Sequence, residues 1–231
     1  MRKRKYTALS LRAGVGLDEH APAAVIHNIV ATTQISSNVL PLDLQHIADV
    51  LPNSHYDRQR FAAITIRMHA PTCTALLFTS GKLVLTGCRG WNECVLASMH
   101  IVRMLRRYMP FIEFYVVNNT IQNIVAHVAL RLPPGARLNI EQMYDAHSVL
   151  CTYQPQLFPG LIYRPDNSPI VLICFHSGNI VVTGGRCLED IDLGWRRLWP
   201  VVNRFVSLPP AETEPLEAGP PLEAVPVSSC E

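Results

Sequence analysis

Two stretches of this chain are copies of one another, and that duplication restricts the fold more than any other feature. Phe61 to Gly87 reads FAAITIRMHAPTCTALLFTSGKLVLTG, and Phe158 to Gly184 reads FPGLIYRPDNSPIVLICFHSGNIVVTG. In each copy an Arg follows the leading Phe by six residues (Arg67, Arg164) and a second Phe follows it by seventeen (Phe78, Phe175). Ser-Gly and Thr-Gly then close the unit, as Ser80-Gly81 with Thr86-Gly87 and as Ser177-Gly178 with Thr183-Gly184. Upstream, Ile26-His-Asn-Ile-Val-Ala returns as Ile121-Gln-Asn-Ile-Val-Ala. The interval is 95 residues at Asn28/Asn123 and 97 at Phe61/Phe158, so a two-residue insertion separates the halves. A period of this kind marks one supersecondary unit built twice.

Each unit has the same order of signals. Val25 to Thr32 is β-branched and strand-like. Leu42 to Leu51 places Leu44, Ile47, Ala48 and Leu51 at helical spacing, and Pro52 stops the helix. Strands are expected at 60–68, 73–79 and 82–87, the last two joined by Ser80-Gly81 as a two-residue hairpin turn. A long helix from Trp91 to Met109 should bury Trp91, Val95, Val102, Leu105 and Met109, and present His100, Arg103, Arg106 and Arg107 on its polar side. The second unit repeats the order, with a helix at 140–149, strands at 160–164, 170–176 and 180–183, and a helix from Leu188 to Phe205 that contains Pro200.

The units are bounded at 25–116 and 117–206 and flanked by tails of opposite charge. Residues 1–24 carry five bases against two acids, the core fifteen against eleven, and residues 207–231 five Glu and no base. The first tail reads as a flexible basic arm, whose Arg2-Lys-Arg-Lys cluster fits a nuclear-import signal and equally a solubilising terminus. The last is Pro- and Glu-rich and is expected to be disordered. With 48% apolar and 16% charged residues the chain can bury a real core, and no apolar run approaches a bilayer span. Seven cysteines without C-x-x-C spacing point to a reducing compartment and small core residues, not to disulfides or a zinc site. No metal or cofactor is expected. No G-x-S-x-G or H-E-x-x-H motif is present, and Gly81-Lys82 lacks the rest of a phosphate loop.

Alternate residues of a strand face opposite sides of a sheet. Here both sides are apolar: Thr74, Leu76 and Phe78 against Cys73, Ala75 and Leu77, and Ile173 and Phe175 against Leu172 and Cys174. Two helices per unit cover one face. The other is then left open, and an open apolar face implies a partner surface. It carries a twofold set of Asn28, Asn123, Thr86 and Thr183. The minor groove of duplex DNA suits such a face, because A·T pairs present only acceptors there and apolar side chains can wedge between base steps.

The motifs Ile-x-Asn-Ile-Val-Ala (twice), Arg60-Phe-Ala-Ala, Thr74-Ala-Leu-Leu-Phe-x-Ser-Gly-Lys, Leu157-Phe-Pro-Gly-Leu-Ile-Tyr-Arg and Ser177-Gly-x-Ile-Val-x-Thr-Gly resemble the TATA-box-binding protein family from about Val25 to Phe205. That family is itself a standing example of minor-groove wedging. The resemblance implies an α+β saddle in which two pseudo-twofold repeats form one curved antiparallel sheet with helices on the convex face. It implies that Phe61 with Phe78, and Phe158 with Phe175, intercalate at the two ends of an A/T-rich site. Asn28, Asn123, Thr86 and Thr183 would contact bases, with Val30, Val125, Leu76, Ile173, Val84 and Val181 on the groove floor. Arg67, Arg164, Ser80, Ser177, Lys82 and Gln122 would hold phosphates.

Partners implied are double-stranded DNA, IIB-like and IIA-like general transcription factors and the RNA polymerase machinery. Such a protein acts as a monomer on DNA, away from membranes, in the nucleus or, for a viral version, in the host nucleus or a viral factory. Gln154, Gln156 and Leu157, with Arg103, Arg106 and Arg107, are the expected partner-binding residues. The sequence departs from the family at Gln154 and Gln156, where glutamates that help dock factor IIB are usual. It departs again at Asn179, where a phosphate-binding Lys is usual, at Pro169, one place late, and at Met99 and His100, where bases are usual. A protein-interaction module that has lost DNA binding is the alternative function. The retained Phe quartet and Asn pair favour the DNA binder.

Overall fold

The structure, a computed structural model, describes residues 21–208. The two charged tails lie almost entirely outside these residues. A single ten-stranded antiparallel sheet runs through both halves. The first half contributes β1 (Val25–Ser37), α1 (Leu44–Val50), β2 (Ser54–His55), β3 (Ala63–His69), β4 (Thr72–Phe78), β5 (Lys82–Cys88) and α2 (Trp91–Tyr108). The second contributes β6 (Phe114–Ala129), β7 (Arg137–Leu138), α3 (Ile140–His147), β8 (Cys151–Gln154), β9 (Phe158–Tyr163), β10 (Val171–Cys174), β11 (Asn179–Gly185), α4 (Leu188–Asn203) and β12 (Val206–Ser207).

The strand order β2-β3-β4-β5-β1-β6-β11-β10-β9-β8 reads the same from either end once the halves are exchanged. β1 and β6 meet at the centre, where Ile29 pairs with Ile124, its own counterpart in the other half. The pseudo-twofold axis therefore passes through this pair. β7 and β12 form a separate two-stranded ribbon.

Burial divides the sheet cleanly. Cys73, Ala75, Leu77, Leu83 and Leu85 are buried on one face, as are Leu172, Cys174, Ile180 and Val182 in the other half. Their strand neighbours Leu76, Phe78, Val84, Ile173, Phe175 and Val181 stay partly exposed. The covered face packs against α2 through Cys94, Ala97, Ile101 and Leu105, and against α4 through Ile191, Trp195, Trp199 and Val202. The 3.6-residue period turns each helix's apolar stripe onto the sheet.

Two expectations about local structure need correction. Val102, Leu105 and Met109 are buried as expected, but Trp91 is 38% exposed and Val95 half-buried, because in the first half of α2 the buried stripe runs through Cys94, Ala97 and Ser98. Alanine, cysteine and serine let the helix approach the sheet closely, so bulk was a poor guide. The hairpin turns hold three residues, not two. Gly81 N–H donates to Phe78 O at 2.9 Å, and Gly178 N–H to Phe175 O at 2.9 Å, with both glycines at positive φ (79° and 78°). This is a tight turn followed by a left-handed residue, the usual three-residue hairpin loop.

Asp190 caps α4 by accepting from the backbone N–H groups of Arg186 (3.0 Å) and Cys187 (3.1 Å). Glu93 accepts from Arg89 N–H (2.8 Å) at the matching start of α2. Four cysteines (Cys73, Cys88, Cys94, Cys174) are buried and free, as expected of small core residues. Burial pushes the Cys174 thiol up to about 12 and Cys151 to about 11, which keeps both protonated near neutral pH.

Candidate nucleic-acid interface

The face left uncovered by the described residues is organised by the two Asn–Thr–Gly sets. Asn28 Oδ1 accepts from Gly87 N–H at 2.6 Å and from the Thr86 hydroxyl at 3.3 Å. Asn123 Oδ1 accepts from Gly184 N–H at 3.0 Å and from the Thr183 hydroxyl at 3.2 Å. Each set ties a central strand to its neighbour where the ladder slips by one residue. Gly87 and Gly184 have φ of +98°, and a Cβ on Gly184 would lie 2.0 Å from Pro169 O, so glycine is required there. Each carbonyl is held by a backbone donor, and the Asn123 amide nitrogen also lies within donating distance of the Thr183 hydroxyl at 3.0 Å, leaving its second N–H and the Asn28 amide N–H groups to donate outward. The Thr-Gly repeat seen in the sequence is thus the structural half of the Asn pair, a link that spacing alone did not reveal.

The Phe quartet occupies opposite ends of the same face. Phe61 and Phe78 rings stand 6.0 Å apart at 66°, and Phe158 and Phe175 stand 5.8 Å apart at 70°. Phe61 is 48% exposed and Phe158 41% exposed, which is unusual for aromatic side chains of a well-packed domain. Gly160 lies beneath the second pair: a Cβ there would come within 2.6 Å of Phe158 and 2.9 Å of Phe175. Between the pairs lie Val30, Val84, Leu76, Val125, Ile173 and Val181, with Thr86 and Thr183, all half-buried.

The polar residues assigned to phosphates do not form one group. Arg67 is exposed on β3, and Arg164 follows β9. Their backbone N–H groups donate to Asn53 O (3.0 Å) and Leu150 O (2.8 Å), so they occupy matching places. Ser80 and Ser177 lie exposed in the matching hairpin loops, with Lys82 beside Ser80. Asn179, at the place of Lys82, turns its amide onto Ser177 Oγ (3.0 Å). Gln122 lies apart from these, on central strand β6, donating to Thr32 Oγ1 at 2.7 Å.

The expected partner-binding residues also separate. Gln154, Gln156 and Leu157 form the β8–β9 turn, closed by Leu157 N–H donating to Gln154 O (3.0 Å), with Leu157 83% exposed. Arg103, Arg106 and Arg107 lie on the outer side of α2. Arg106 is engaged within the protein: its Nε donates to Phe114 O (2.8 Å) and its guanidinium covers the Tyr115 ring at 5.0 Å. Sequence reasoning passed over one pair on the open face, His27 and His127, whose rings meet edge to face at 5.5 Å.

A duplicated unit fused across one antiparallel sheet, with helices on one side and an apolar face that no described residue covers on the other, defines the class as a pseudo-twofold α+β saddle. The family model described as "Transcription factor TFIID (or TATA-binding protein, TBP)" matches residues 23–108 and 118–205. The chain belongs to the TATA-box-binding protein family. It is 36% identical over 180 residues to the TATA-box-binding protein of Saccharomyces cerevisiae, covering 78% of this chain and 71% of that one. It is 38% identical over 183 residues to the TBP-related factor of Drosophila melanogaster, covering 78% and 76%. The Caenorhabditis elegans TATA-box-binding protein is 36% identical over 187 residues, which are 80% of this chain and 52% of that protein, so the chain spans about half of that relative's length. Among solved structures, Methanococcus jannaschii TBP superposes with a TM-score of 0.65 at 29% identity, covering 79% of this chain and 99% of that one.

Proposed function

We propose that this protein is a transcription initiation factor that binds A/T-rich duplex DNA through the minor groove and bends it. The observation that carries this reading is the bare apolar sheet face with two exposed Phe pairs at its ends. Phe61 with Phe78 and Phe158 with Phe175 insert between base steps, each unstacking costing on the order of a few kcal/mol and offset by apolar contact along the opened groove. The Asn28 and Asn123 amides donate to base acceptors at the centre, where the guanine amino group would obstruct them. Thr86 and Thr183 hold those amides in place, and the six half-buried aliphatic residues line the groove floor. Arg67, Arg164, Lys82, Ser80 and Ser177 meet phosphates. Gln122 reaches the sugar-phosphate edge from the centre of the sheet.

On bent DNA the protein nucleates a pre-initiation complex. The projecting Leu157 turn receives a IIB-like factor, and Arg103 and Arg107 on the outer helix face receive other components. Two neutral glutamines at 154 and 156 weaken the first contact relative to carboxylates. The test is competition binding of the full chain to a TATA-like duplex and a scrambled one, with Arg164→Ala alongside. Preference for the TATA-like duplex is expected, and Arg164→Ala should weaken both duplexes alike while reducing the salt slope by about one. Absence of binding to either duplex would overturn the reading and favour an interaction module that has lost DNA binding.

A further inference from the structure

The two halves of the open face match at the Asn, Thr and Phe positions but not at one pair beside the pseudo-twofold axis. In β6 the ladder slips at Gln122, which is left without a partner across the strand pair. Its side chain crosses to Thr32 Oγ1 at 2.7 Å. In β1 the ladder slips at the corresponding place, His27, and its side chain crosses to His127 at 5.5 Å between ring centroids. His27 corresponds to Gln122 and Thr32 to His127, each at the 95-residue interval of the central motif. One half of the face therefore carries an amide–hydroxyl pair that cannot titrate, and the other a pair of imidazoles.

We propose that His27 and His127 form a proton-linked contact to DNA, present in one half of the interface only; it rests on the minor-groove reading above. Three residues of extended strand separate His127 from the axis at Ile124, roughly 10 Å, which puts the pair among the residues assigned to the groove floor. Val25 and Val181 flank His127 across its two neighbouring strands, and Asn28 follows His27, so the closest neighbours are uncharged. Beyond Cys88, which pairs with Ile29, come Arg89 and the Glu93 carboxylate that accepts its N–H. Among the described residues these two are the charged groups next to that pairing, just after β5 and in the first turn of α2. Imidazole changes charge in the range between pH 5 and 8, and a groove lined by phosphates favours the cation. Binding then strengthens as pH falls, because the protonated form is the one that DNA attracts.

The experiment measures affinity of the full chain for a TATA-like duplex from pH 8 to pH 6, at several salt concentrations. His27→Gln with His127→Thr, which installs the other half's pair, runs beside it. For the unaltered protein an affinity gain of roughly five- to tenfold is expected, with the salt slope steeper by about one at the acid end. The double variant should bind with little pH dependence. Calorimetry of the unaltered protein in buffers of different ionisation enthalpy gives a second readout independent of the variant's folding, with uptake of about one proton expected. If the unaltered protein binds DNA but takes up no proton, or the folded variant keeps the same pH dependence, the inference is overturned and the minor-groove reading stands. If no duplex binds at any pH, both fall together.

Discussion

The first and second halves of this protein share a plan, and comparing them separates what the plan requires from what each half has been free to change. Both keep two Phe rings near 6 Å apart, an Asn carbonyl clamped by a Thr-Gly backbone, and an exposed Arg at matching places on β3 and just after β9. They differ behind the sheet and at its rim. Ser98, buried in α2, corresponds to Trp195 in α4, whose indole N–H donates to Pro22 O at 2.7 Å. Lys82 corresponds to Asn179. His176, next to Phe175, is clipped to the second half by Leu138 O (Nδ1, 3.1 Å) and Glu141 (Nε2, 3.0 Å), and Glu141 also accepts from the Tyr153 hydroxyl (3.2 Å). Its counterpart in the first half is Thr79. The open face repeats its Phe, Asn and Thr positions and departs at the His27–His127 pair, while the covered face exchanges a small residue for a large one.

If that division is right, the largest break in symmetry should come from the core. Trp195→Ala should cost about 3–5 kcal/mol of stability through lost burial and the orphaned Pro22 carbonyl. Ser98→Ala should cost no more than about 1 kcal/mol, since it removes one buried hydroxyl donating to Val95 O. Denaturant unfolding of both variants measures the gap, and equal losses would mean that the two helices are not packed as described.

On the open face the halves should respond alike. Phe158→Ala with Phe175→Ala, and Phe61→Ala with Phe78→Ala, should each weaken duplex binding by about tenfold, near 1.4 kcal/mol. Each should also abolish base unstacking at its own end of the site, read from a fluorescent purine placed at either end. Loss of unstacking at both ends from one pair would mean that the wedges act together.

The smallest effect concerns the second-half clip. Partial desolvation raises the Glu141 carboxyl, but its backbone N–H, the His176 charge and the Tyr153 hydroxyl outweigh that and hold it below the usual carboxylate range. A depressed carboxylate contributes stability above its unfolded pKa, about 4.3, and loses it as pH falls through the folded value. Glu141→Gln should therefore lower stability by only a few tenths of a kcal/mol, about what exposed pairs give, at neutral pH and by nothing in acid. Thermal melts at the two pH values check this.

Much of this was legible in the residues. The duplication predicts a symmetric strand order, alternation along β4, β5, β10 and β11 predicts two apolar faces, and the Ser-Gly signals predict antiparallel hairpins. The four Phe, two Asn and two Thr fall on one face because a shared register brings them there. What stayed hidden depends on contacts across the chain. The Asn–Gly clamp needs the slipped register of β1 against β5. The stripe of α2 runs through small residues that carry no strong apolar signal. Arg106 looks free in the sequence, and only the return of β6 beside α2 engages it. His27 and His127 are 100 residues apart and meet only through the central strand pair.

The central claim is that the bare face grips and bends DNA with its four rings. End-to-end fluorescence energy transfer on a short TATA-like duplex labelled at both termini tests it most directly. Addition of the full chain should bring the labels closer, and Phe61→Ala, Phe78→Ala, Phe158→Ala and Phe175→Ala combined should leave the duplex straight in whatever complex forms. An equal approach of the labels with the fourfold variant, or none with the unaltered protein bound, would contradict the account.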